Sequence, residues 1–267
     1  LYQLTLAHIY PASMNIYGDR GNIIALAQRC RWRGVDLAVT PVEPGDEVDW
    51  ASFDLAFFGG GQDSGQALIA RDLLERQGPG LRAAIEDDLV LLAICGGYQL
   101  LGHYFLTHTG ERLPGLGALD VHTVGGKQRL IGNIVVEVDV AALAGQGEQG
   151  KRVQGVGGAA LPPAPVRLVG FENHSGRTFH GPGVRSLGRV LLGHGDNGED
   201  GRGGAVYRNT FGCYLHGSLL PKNPQLTDHL IGLALRRRYG EGAPLAPLDA
   251  ALELRAQRSM TERLLRA

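Results

Sequence analysis

From Leu89 to Ile94 the chain is apolar without a break, and the residues that follow are Cys95-Gly96-Gly97. A strand with one wet face alternates polar and apolar positions. A run with no polar position has no wet face, so it belongs in the middle of a parallel sheet with helices over both sides. A helical pattern resumes at once, from Tyr98 to Tyr104. The feature therefore asks for strand, tight corner and helix in direct succession.

The first half of the chain repeats that alternation. Leu4 to Ile9 reads as a strand. Asp19 is placed to cap a helix that runs to about Arg33, with Ile23, Ala27 and Cys30 on one face and Gly34 as its stop. Val35 to Val39 and Leu55 to Phe58 read as further strands, the second leading into Gly59-Gly60-Gly61, and helical patterns cover about Gln66 to Arg76 and Leu81 to Asp87. The expected fold class is α/β: a doubly wound, mainly parallel sheet flanked by helices, of the flavodoxin-like kind. Ligands in such sheets bind beyond the carboxyl ends of the strands, where the glycine run and Cys95 both fall.

The second half reads differently. Ile134 to Val138, Val166 to Phe171, Arg189 to Leu192 and Ala205 to Tyr207 are short strand patterns between turn clusters, so antiparallel strands are expected there. The Gly- and Pro-rich stretch from Ala141 to Pro165 reads as a long flexible loop. Asn223 is placed to cap a helix that starts at Pro224 and stops at Gly240, and Ala250 to Leu265 reads as a last amphipathic helix. We divide the chain into a main domain, 1–240, and a helical extension, 241–267.

Composition excludes several classes. A net charge of -1 over 267 residues offers no basic surface for nucleic acid. Three cysteines, Cys30, Cys95 and Cys213, are odd in number and far apart, which argues against a disulfide framework or a zinc site and for a reducing compartment. No stretch is apolar for long enough to span a membrane. A soluble, cytoplasmic protein is expected.

The chemistry centres on Cys95. A cysteine at the apex of a strand-to-helix corner is the arrangement of a nucleophile elbow, and the helix N-terminus behind it favours the thiolate. Cys30, on the apolar face of the first helix, and Cys213, in the strand-like stretch leading to His216, read as packing. His216, in Gly212-Cys213-Tyr214-Leu215-His216-Gly217, ends another apolar run before a glycine and is the expected base. Backbone N–H groups of Gly60 and Gly96 are the expected oxyanion donors. No GKS/T or GxGxxG pattern follows the glycines, so no nucleotide site is read in this chain.

Several segments together carry a resemblance: Met14 to Asn22, Phe58 to Asp63, Ala93 to Gly102, Arg129 to Asn133, Gly170 to Thr178, and Tyr214 to Gly217 continuing through Pro224. They resemble the class I, triad-type glutamine amidotransferases in the cobyric-acid-synthase-like branch, and within it the glutaminase subunits of lipid II isoglutaminyl synthases. The resemblance implies that Cys95 attacks the side-chain amide of L-glutamine to form a thioester, with His216 moving the protons. It implies that Arg129 binds the α-carboxylate, and that Gln99, Asn173 and His174 line or support the pocket. It implies no cofactor or metal in this chain. The expected partner is a MurT-like synthetase of the Mur-ligase family, holding ATP and Mg²⁺ and amidating D-glutamate of lipid II to D-isoglutamine.

One departure stands out. The acidic residue usual two positions after the histidine is replaced by Ser218. The resemblance implies that the partner supplies the missing carboxylate, with Glu172, Asp196 and Asp228 as in-chain alternatives, and the isolated chain is then expected to be a poor glutaminase. Competing readings are an amidotransferase serving another ligase, such as a corrin-amidating one, an elbow-cysteine hydrolase, or a binding-only subunit.

Overall fold

The computed structural model describes residues 2–138 and 165–266. All but the last residue of the Ala141–Pro165 stretch lies outside them. The parallel core consists of β1 (Gln3–Ile9), β2 (Asp36–Val42), β3 (Leu55–Phe58), β4 (Val90–Ile94) and, from far down the chain, β12 (Thr210–Cys213). With the antiparallel β11 (Ala205–Tyr207) and β9 (Arg185–Ser186) they form one seven-stranded sheet in the order β2-β1-β3-β4-β12-β11-β9. β3, β4 and β12 are buried at every position, as strands covered on both faces must be. The connections leave β1 in opposite directions, to β2 on one side and β3 on the other, so the loops after β1 and β3 part around a crevice.

Helices cover the faces. α1 (Arg20–Arg31) buries Ile23, Leu26 and Cys30. α2 (Asp63–Asp72) and α3 (Gly78–Glu86), expected as separate helices, are joined by a π-helical turn, Leu73–Gln77. α4 (Gly96–Leu101) starts directly after Cys95 and is wholly buried.

A second sheet carries β5 (Tyr104–Leu106), β6 (Arg112–Pro114), β7 (Val121–Val138), β8 (Val166–His180) and β10 (Gly188–Leu192). β7 and β8 are far longer than the sequence pattern suggests. They pair antiparallel from Val121↔His180 to Val138↔Val166, with one irregularity between Gly125 and Leu130. Along their middle, Asn173 to Gly176 of β8 line a polar cavity while Lys127 and Gln128 of β7 are exposed, so the apolar pattern of a strand is missing there. The two sheets meet at an isolated bridge, Phe171↔His216.

After the short α5 (Leu219–Lys222), α6 (Pro224–Tyr239) begins at the expected proline and ends at Gly240, with φ at 79°. Asn223 does not cap it. Its side chain accepts from the Val169 N–H (2.9 Å) and donates to the Val169 carbonyl (2.9 Å), serving as a strand partner for β8. α7 (Ala251–Arg266), the helix of the 241–267 stretch, lies against β8 through Gln257, whose amide donates to the Arg167 carbonyl (3.0 Å) and to Asn223 Oδ1 (2.8 Å). Among the described residues no helix is long and apolar enough to cross a membrane.

Candidate active site

Every strand of the parallel core that borders the crevice delivers one feature at its carboxyl end: Asp19 after β1, Gly59–Gly61 after β3, Cys95 after β4 and His216 after β12. Cys95 has φ 51° and ψ -105°. That is left-handed, sparsely populated backbone for a residue with a side chain, and it is the strain expected of a nucleophile turned out of a sharp corner. The corner closes only because its neighbours are glycine. A Cβ on Gly97 would meet the Phe58 carbonyl oxygen at 2.5 Å, and one on Gly96 would meet Gly61 N at 2.9 Å and Gln66 Nε2 at 3.0 Å. The turn after β3 and the start of α4 are thus in contact, and the backbone of Gly61 lies against Gly96. The N–H of Gly96, at the first position of its helix, has no intrahelical partner.

The geometry corrects the expectation for Gly60. Its N–H donates to Asp19 Oδ2 at 2.7 Å, inside the protein, and so is not free for an oxyanion. Gly60 serves instead as a floor for the base: a Cβ there would lie 2.7 Å from His216 Cε1. The Gly61 nitrogen is the one that lies next to Gly96.

His216 is fully buried. Its backbone pairs with Phe171, with His216 N donating to Phe171 O at 2.6 Å. The ring's Nδ1 faces Asp19 Oδ1 at 3.3 Å, while Nε2 is buried with no hydrogen-bond partner among the described residues. Burial pushes the imidazole pKa down, but the charge of Cys95, the hydrogen bond that the ring donates to Asp19, the closeness of the Cys95 sulfur and the charge of Asp19 outweigh it and hold His216 up at about 10. An imidazolium beside Cys95 is the charge arrangement that an activated thiol needs. Burial pushes both Cys30 and Cys213 up to about 12, so neither ionises near neutrality.

Asp19 is the residue that sequence reading missed. It occupies the N-cap position of α1 but has helical backbone angles and makes no side-chain cap. The nearby Asn15 takes the Arg20 N–H instead, at 2.8 Å, and leaves the Asp19 carboxylate turned inward. The clue was present: two capping-type side chains stand within five residues, and one helix start uses only one. The three acids considered from the sequence are engaged elsewhere. Glu172 accepts from the N–H groups of His194 (2.6 Å) and Gly195 (2.9 Å), Asp196 pairs with His180 (2.7 Å), and Asp228 pairs with Arg29 (2.6 Å) and Arg33 (2.7 Å).

Cys95 opens into a cavity of about 300 Å³ whose walls include Tyr17, Gly61, Gln66, Gln99, His108, Arg129, Asn173 and His174. Arg129 sits in the β7 irregularity, so its guanidinium leaves the ladder. It reaches Asn173 through Nε (2.9 Å) and Nη2 (2.6 Å), both to Oδ1. Asn173 therefore holds the arginine, leaving its remaining N–H groups for an incoming carboxylate. Gln99 accepts from Gln66 (2.8 Å) and donates to the Tyr214 hydroxyl (3.1 Å), and the His174 ring stacks on Tyr214 with centroids 3.7 Å apart. Both line the back wall. Tyr17, with φ 53°, roofs the dyad, its ring edge-on to His216 at 5.0 Å. Tyr17, Gly61, Gln66 and His108 carried no individual signal in the sequence, because a wall residue has no required chemistry of its own.

The profile of the CobB/CobQ-like glutamine amidotransferase domain matches residues 5–224 of this chain. A lipid II isoglutaminyl synthase (glutamine-hydrolyzing) subunit GatD from Staphylococcus aureus is 38% identical over 265 residues, covering 98% of this chain and 97% of its own. The protein of that name from Streptococcus pneumoniae is 37% identical, covering 94% of this chain and 88% of its own. Among solved structures, a glutamine amidotransferase from Thermotoga maritima superposes with a TM-score of 0.51 at 15% identity over 100% of both chains, a likeness of fold.

Proposed function

Since the chain belongs to the CobB/CobQ-like glutamine amidotransferase family, we propose that it is the glutamine-hydrolysing subunit of a lipid II isoglutaminyl synthase. The observation that carries the reading is the joint presence, on one cavity, of a cysteine at a strained corner, a buried histidine held above its ordinary pKa, and an arginine steadied by an asparagine. The near full-length relatives support the choice of lipid II as the destination.

In this reading Arg129 pairs with the α-carboxylate of L-glutamine and sets the side-chain amide over Cys95. The thiolate attacks the amide carbon, and the N–H groups of Gly61 and Gly96 receive the negative oxygen. One such donor is worth about 2.7–4 kcal/mol. The imidazolium of His216 gives its Nε2 proton to the departing nitrogen, so ammonia leaves and a γ-glutamyl thioester remains. Water then attacks the thioester while Nε2 takes its proton, and glutamate and the thiolate are released. Ammonia passes to a MurT-like synthetase, which uses ATP and Mg²⁺ to amidate D-glutamate of lipid II.

The test is reconstitution with a Mur-ligase-like synthetase from the same genome. The pair should convert lipid II to the D-isoglutamine form with glutamine as nitrogen donor. Cys95→Ala should abolish that and leave amidation by free ammonium intact. A complex that hydrolyses no glutamine, or amidates only another carboxylate, would overturn the proposal.

A further inference from the structure

We propose that Gln66 recognises the amide of the substrate: its side-chain oxygen accepts an N–H of the glutamine carboxamide, which favours the amide in this cavity over the acid that hydrolysis leaves behind. The inference rests on the glutaminase reading above and adds to it the group that tells substrate from product.

Gln66 stands in the first turn of α2 and forms part of the wall of the cavity onto which Cys95 opens. The residue is only 1% exposed. Its Nε2 donates to Gln99 Oε1 at 2.8 Å and to the Gly61 carbonyl at 3.4 Å. A carbonyl oxygen only accepts, so the nitrogen is the end of the Gln66 amide that faces Gly61, and the oxygen is turned away from it. The neighbouring bonds run in the same sense. Gln99, accepting through Oε1, has its own Nε2 for the Tyr214 hydroxyl at 3.1 Å, and that hydroxyl meets Thr178 Oγ1 at 2.6 Å. Both N–H groups of Gln66 are thus engaged, whereas Oε1 is buried and has no hydrogen-bond partner among the described residues. Buried polar atoms are nearly always matched, so the partner is expected to arrive with what fills the cavity. The other unpartnered nitrogen on this wall, His174 Nε2, already has the Glu172 carboxylate 3.7 Å away.

The position of the head group decides which part of the substrate it meets. A Cβ on Gly96 would stand 3.0 Å from Gln66 Nε2, and Gly96 directly follows the nucleophile. A glutamine whose carboxamide carbon lies over Cys95 therefore brings that carboxamide to Gln66, with its α-amino group at the other end of the side chain. The carboxamide nitrogen carries N–H donors. The carboxylate of glutamate carries acceptors alone. An oxygen that holds the first repels the second, so one contact both captures glutamine and helps to expel glutamate.

Gln66→Met keeps the length of the side chain and removes its amide. With the full chain, alone and with its synthetase, KM for glutamine should rise about 10-fold, the worth of one hydrogen bond. The Ki of L-glutamate as a competitive inhibitor should stay within about threefold or fall. A residue that merely steadies Gln99 and Gly61 would move both constants together, and thermal unfolding checks that the variant is folded. A second measurement uses the wild-type chain. The γ-methyl ester of L-glutamate offers no N–H at that position, and its KM should exceed that of glutamine by about 10-fold. Glutamine and glutamate constants that rise in parallel, a folded variant whose KM is unmoved, or an ester with the KM of glutamine would refute the assignment. Wild-type protein that hydrolyses no glutamine would instead sink the glutaminase reading.

Discussion

Replacing Gly60 with alanine adds a single methyl group at the point where base and acid meet. That methyl carbon would stand 2.7 Å from His216 Cε1, 3.2 Å from Asp19 Oδ2 and 3.2 Å from Ile16 Cγ1. Carbon atoms rest about 3.5–4.0 Å apart, so the ring must retreat by about 1 Å. It has no open side to retreat to, being fully buried between Tyr17, Asp19 and the turn below. Gly60 is not among the residues with positive φ, so the effect is one of space and not of backbone strain. A displacement of about 1 Å at a reacting group costs about 100-fold in rate, or roughly 2.7 kcal/mol of barrier. Overpacking of this kind also destabilises a core by about 1–3 kcal/mol. Steady-state glutamine hydrolysis should therefore show kcat reduced about 100-fold with KM nearly unchanged, since Gly60 does not line the cavity, and thermal unfolding should show a modest loss. Wild-type kcat in the variant, or a loss confined to KM, would show that the imidazole is not held where the structure puts it.

Other perturbations separate the parts of the site. Asn173→Ala removes the oxygen that accepts from Arg129 Nε and Nη2, and hydrogen bonds to charged groups are worth about 1.5–3 kcal/mol. It should lower kcat/KM for glutamine by about 10- to 100-fold, chiefly through KM. An unchanged KM would mean that Arg129 holds its pose without help. Iodoacetamide near neutral pH should modify Cys95 alone in the native chain, because burial keeps the Cys30 and Cys213 thiols at about 12. Peptide mapping that finds either of those labelled first would contradict their placement.

Much of this arrangement can be read from residues alone. The unbroken run before Cys95 demands a doubly covered strand, and the pair of glycines after it demands a close neighbour, which proves to be the turn after β3. His216 is legible because an apolar strand delivers it to the same edge. What is hidden follows from long-range geometry. Asp19 looks like a helix cap until Asn15 is seen to take that bond, and its distance of 197 residues from His216 leaves no local trace. Gly59, Gly60 and Gly61 are alike as letters, and only the direction of one N–H shows that the middle one serves the base. The middle of β7 and β8 escapes detection because β8 lines a polar cavity there and β7 is exposed, so neither keeps an apolar face in the sequence.

The seam at Phe171 and His216 sets a lasting constraint on this architecture. Phe171 is followed in the same strand by Glu172, Asn173 and His174, so the backbone that grips the ring also positions the clamp on Arg129. Any tilt of the smaller sheet turns the imidazole and the arginine's support together. Capture of the amino acid and cleavage of its amide are thereby tied to one seam between the sheets, and a substitution that shifts that seam should disturb both.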